Sequence, residues 1–146
     1  LPDRVTKRLR QAVERRANRR CEYCLCPLDI STDPFTVEHI VPGVRGGSTT
    51  LENLALACSG CNGHKYDKQD GYDPVSEQRA PLFHPRQDLW SDHFAWNKDY
   101  THLIGLTLTG RVTLTTLHLN RPAVVNLRRV LFIVGLHPPE TRVNQE

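Results

Sequence analysis

Apolar residues recur at helical spacing in two stretches of the chain and cluster at strand length in several others. Val5, Leu9, Ala12, Val13 and Ala17 share one side of a helical wheel, so residues 3 to about 18 read as an amphipathic helix with Asp3 as its cap. Phe35-Thr36-Val37 and Leu54-Ala55-Leu56-Ala57 read as short strands, the second fully buried. Asn62 is placed to cap a helix over 63–69. Gly71, Pro74, Pro81 and Pro85 mark 70–89 as a connector.

Regular structure resumes near Trp90. Phe94-Ala95-Trp96 and residues 103–108 read as strands separated by the turn Asn97-Lys98-Asp99. Residues 111–119 suit either state. Their threonines favour a strand, whereas Leu108, Val112, Thr116 and Leu119 share a helical face, and helix is the assignment taken. Pro122 opens a last helix carrying Val124, Leu127, Leu131 and Val134, which Gly135 and Pro138-Pro139 end. Trp90, Phe94, Trp96 and Phe132 are expected in the core.

The 146 residues suffice for one core with extensions. The expected organisation is a core with the basic helix over 1–70, a connector over 71–89, and a strand and helix extension over 90–146 packed on the core. No apolar run approaches the roughly 20 residues of a membrane span, and no leader pattern opens the chain, so an intracellular, cytoplasmic location is expected.

Charge sharpens this picture. Arg4, Lys7, Arg8, Arg10, Arg15, Arg16, Arg19 and Arg20 oppose only Asp3 and Glu14 in the first 20 residues, while the whole chain carries +3. Such a segment suits a polyanion, and it also suits a solvated helix face.

Between Cys21 and Lys65 the residue types become chemically specific. Cys21 and Cys24 form one C-x-x-C turn, and Cys58 and Cys61 form another. Two such turns supply four thiolates for a closed tetrahedral zinc site, although Cys26 lies close enough to compete within the first pair. A thioredoxin-type redox pair is the competing reading, but it needs no second pair and belongs in a βαβ pattern that is absent here. A closed site leaves zinc no open position, so chemistry needs a second centre.

Glu38 and His39, with Asn62, offer a carboxylate, an imidazole and an amide oxygen. The oxygen donors suit Mg²⁺ or Mn²⁺, and the histidine could take a proton from water beside such an ion. These parts serve hydrolysis of a phosphodiester. His84, His93, His102, His118 and His137 have no such context, and His64 is intermediate, near Asn62 but expected to be exposed on a helix.

The segment resembles the HNH endonucleases with a ββα-metal core, in the branch stapled by two cysteine pairs. The resemblance rests on Cys21, Cys24, Glu38-His39-Ile40, Pro42, Gly46-Gly47, Glu52-Asn53-Leu54, Cys58, Cys61-Asn62 and Lys65. It implies an α+β fold with His39 as general base and Asn53 tying down the long loop. Asn62 would share the divalent ion with Glu38, and Lys65 would face the phosphate backbone. Glu38 departs from the usual Asp, which puts the choice of metal in question.

The implied partner is nucleic acid, DNA before RNA, with Arg15, Arg16, Arg19, Arg20, Arg45 and Lys65 as backbone contacts. The alternative is a zinc-stapled nucleic-acid-binding module that has lost the chemistry.

Overall fold

The computed structural model describes residues 4–140. Asp3, expected as the first helix cap, lies outside the described residues. Helix α1 (Lys7–Arg16) is capped instead by Thr6, whose hydroxyl accepts from the Leu9 N–H at 3.1 Å. Val13 on its apolar side is fully buried, and Leu9 and Ala17 pack beside the same core.

Strands β1 (Thr36–His39) and β2 (Leu54–Ala57) pair antiparallel, with Glu38 opposite Ala55 and His39 opposite Leu54. All four residues of β2 are fully buried, the pattern of a strand covered on both faces. Helix α2 (Ser59–Lys65) follows at once. Its cap is Cys58, whose sulfur accepts from the Cys61 N–H at 3.5 Å, so Asn62 sits inside the helix rather than at its start. A thiol cap has no ordinary capping signature, which is why Asn62 attracted that role.

Residues 70–89 are more ordered than a connector. Strands β3 (Asp70–Asp73) and β4 (Gln78–Pro81) form a hairpin. Pro74 lies in its turn and Pro81 at its end, positions where a missing N–H does not interrupt the ladder. The turn is held by Asp73, which accepts from the Ser76 hydroxyl at 2.8 Å and the Val75 N–H at 3.2 Å. Gly71 lets the hairpin lie close against Thr116, since a Cβ there would fall 2.5 Å from the Thr116 hydroxyl.

A short helix α3 (Trp90–His93) leads into β5 (Phe94–Trp96), which pairs with β6 (Leu103–Gly105). The ambiguous stretch is helix α4 (Leu108–Thr116), capped by the Thr107 hydroxyl accepting from the Gly110 N–H at 3.0 Å. Helix α5 (Pro122–Ile133) has its proline in the first turn. Phe94 is buried and Trp90 and Trp96 are half-buried, but Phe132 is 48% exposed and stacks on Tyr100 outside the core. Arg128 takes the inward position instead, 2% exposed, donating to the Thr101 and Leu119 carbonyls and lying 5.1 Å over the Trp96 ring.

The fold is α+β, a ββα unit with a helix before it and small hairpins and helices after it. Among the described residues no helix is long and apolar enough to cross a membrane.

Candidate nuclease site and metal centre

The two knuckles meet as their spacing implies. The sulfurs of Cys21, Cys24, Cys58 and Cys61 all lie within 4.8 Å of one another, and all four residues are buried. Zinc with four thiolates at about 2.3 Å sets neighbouring sulfurs about 3.8 Å apart. The Cys24 and Cys58 sulfurs are 3.7 Å apart, so the set fits zinc. Cys26 Sγ lies 3.3 Å from Cys24 Sγ but outside the group of four.

Arg121 completes the centre from the far end of the chain. Its guanidinium donates to Cys58 Sγ at 3.5 Å and to Cys61 Sγ at 3.6 Å, partly balancing the thiolate charge. The sequence gives no signal for this role, since Arg121 is 60 residues from the nearest ligand.

Between the knuckles, 14 residues connect β1 to β2, and Asn53 closes that loop. Its side-chain oxygen accepts from the Val41 N–H at 2.8 Å, and its amide donates to the Val41 carbonyl at 3.0 Å and the Ser48 carbonyl at 2.8 Å. The Asn53 carbonyl also accepts from the Ile40 N–H at 2.8 Å. Gly47 lets the loop return this closely, because a Cβ would fall 1.7 Å from the Val41 oxygen. His39 is half-buried at the end of β1, with Nε2 2.8 Å from the Thr49 hydroxyl. Thr49 is a residue that sequence reasoning missed, because a run of three hydroxyl residues looks like any flexible loop.

Glu38 is only 5% exposed. One carboxylate oxygen accepts from the Tyr23 hydroxyl at 2.5 Å, and the other meets Lys65 Nζ at 3.0 Å. Lys65 is 1% exposed and also donates to the Ile40 carbonyl at 3.0 Å. Burial pushes the Glu38 carboxyl up, against the pull of Lys65 and Tyr23. Burial also pushes the Tyr23 phenol well above its usual range.

These contacts correct two expectations. Lys65 lies in the core and cannot face a phosphate backbone, and Glu38 has a protein partner on each oxygen. With Tyr23 on one oxygen and Lys65 on the other, the Glu38 carboxylate does not fit, as placed, the divalent ion expected between it and Asn62.

The expected basic contacts also divide. Arg16 donates to the Leu51 and Leu54 carbonyls at 2.8 and 2.6 Å, tying α1 to β2. Arg19 pairs with Asp29 at 2.6 Å and Glu14 at 3.3 Å. Arg20 donates to the Leu25 and Leu136 carbonyls, both at 2.8 Å. Arg15 and Arg45 remain exposed, as do Lys7 and Arg8 on α1.

Comparison with known proteins agrees with this architecture. Residues 21–68 match the HNH endonuclease family model, a span running from the first knuckle through β1, β2 and α2. The Septu protein PtuB of Bacillus thuringiensis is 32% identical over 108 residues, covering 72% of this chain and 38% of the relative. The match thus spans well under half the length of that relative. No solved structure matches significantly.

Proposed function

We propose that this chain, which carries an HNH endonuclease domain over residues 21–68, hydrolyses phosphodiester bonds in nucleic acid, DNA first, with His39 as the general base. The observation that carries the reading is the setting of His39. It stands half-buried on a strand end, its imidazole bonded to Thr49 on a loop that Asn53 holds shut, and the whole loop is closed at its base by the cysteine centre.

In that setting the imidazole draws a proton from a water attacking the phosphorus, and Thr49 limits the ring's rotation. Asn53 acts on the loop and not on the substrate. Zinc, when bound, supplies folding energy and no open coordination position. Glu38, the carboxylate expected to hold a second ion, is paired with Lys65. Asn62, half-buried on α2, is the remaining oxygen donor expected near the phosphate. Arg15 and Arg45, with Lys7 and Arg8, would hold the backbone electrostatically, without reading bases.

The sealed Glu38 favours a second reading, a zinc-stapled module that binds nucleic acid without cutting it. Supercoiled plasmid, single-stranded DNA and RNA incubated with zinc-replete protein in Mg²⁺, Mn²⁺ or excess EDTA separate the two. Nicked or linear product supports the nuclease. Retention of substrate in gel shifts with no product in any condition supports the binding module.

A further inference from the structure

We infer that Glu38 is a positioning residue and not a metal ligand: the buried Lys65–Glu38–Tyr23 cluster anchors the strand on either side of His39. The inference rests on the reading of His39 as the base. Its evidence is geometric. Lys65 Nζ grips Glu38 through its carboxylate at 3.0 Å and Ile40 through its carbonyl at 3.0 Å, and these are the two neighbours of His39. Side chains alternate faces along a strand. Glu38 accordingly points inward to Tyr23 and Lys65, while His39 reaches Thr49.

Both Glu38 oxygens are thereby engaged by protein donors on the inner face, turned away from the side on which His39 works. The charges confirm the commitment of the inner face. Both side chains of the pair are 3% exposed or less, so the Lys65 ammonium has no solvent to replace Glu38 if a metal drew it away. Freeing the carboxylate would leave a buried ammonium without its partner, a strongly unfavourable state. Lys65 thus does the charge balancing that a ligated cation would otherwise do.

The test uses zinc-loaded wild type, Glu38→Gln, Lys65→Met and the double variant, with Tyr23→Phe as a milder change. Mn²⁺ binding is followed by electron paramagnetic resonance, urea unfolding completes a double-mutant cycle, and kcat and KM are measured for cleavage. Expected are Mn²⁺ affinities for wild type and Glu38→Gln within about twofold, and coupling of Glu38 to Lys65 by about tenfold or more in the unfolding constant. Cleavage should fall in kcat, with KM held within about twofold, in both Glu38→Gln and Lys65→Met, because both loosen the strand that holds His39 without touching the substrate.

A tenfold or greater loss of Mn²⁺ affinity in Glu38→Gln, with Lys65→Met unchanged or tighter, would overturn the inference. Additive unfolding effects would overturn it as well. If either single variant fails to retain zinc, Tyr23→Phe is judged by the same Mn²⁺ and kcat criteria. A wild type that cuts nothing defeats the nuclease reading, while the Mn²⁺ and unfolding arms still judge the role of Glu38.

Discussion

Arg121 donates to Cys58 Sγ at 3.5 Å, so a residue at the entrance to the last helix helps to hold a cysteine knuckle some 60 positions earlier in the chain. Gly60, between the second pair of ligands, makes room for it, since a Cβ there would lie 2.6 Å from the guanidinium. The C-terminal helices therefore bear directly on the metal centre.

Replacing Arg121 with Gln should weaken zinc binding about 10- to 100-fold, the usual scale for a lost outer-shell partner. Competition with a chromogenic chelator measures it. Removing the metal altogether should unfold the ββα unit, because four buried thiols then lose the ion that organises them. Circular dichroism during chelation, and its recovery on adding one equivalent of zinc, checks this.

Asn53→Ala removes three side-chain hydrogen bonds from the β1–β2 loop and should cost about 1–3 kcal/mol of stability, read from urea unfolding. Gly47→Ala should disturb the same loop by displacement, because the added methyl meets the Val41 carbonyl. Both should lower cleavage while leaving zinc content at one equivalent.

Histidines set a pH limit on stability. Burial pulls the pKa of His84 and of His137 below the usual histidine value. His84 Nδ1 accepts from the Arg86 and Gln87 N–H groups, both at 3.2 Å, which only the neutral ring can do. The unfolded chain then binds more protons than the folded one between the lowered values and about 6.5, so stability is present above that window and lost as pH falls through it. The thermal midpoint should fall between about pH 7.5 and 5.5. His84→Asn, which keeps an acceptor but does not titrate, should show a shallower fall with zinc in excess in both proteins.

The paired cysteines, the two strands and the last helix were legible because each rests on local spacing. Partners of the charged residues were not. Arg16, Arg19 and Arg20 read as a nucleic-acid face, yet their bonds go to the Leu54 carbonyl, Asp29 and the Leu136 carbonyl. Lys65 and Glu38 read as exposed chemistry because charged residues usually are exposed, and only tertiary packing brings them together behind β1. Prolines misled at 70–89, where edge and turn positions accommodate them.

The most direct test of the reading is plasmid cleavage by zinc-replete wild type beside His39→Ala, in matched Mg²⁺ or Mn²⁺, with zinc content and DNA affinity measured for both. The expected result is nicking by wild type and a loss of about 100-fold or more in His39→Ala, with zinc and DNA binding unchanged. Equal cleavage by the two proteins would contradict the assignment of His39 as the base.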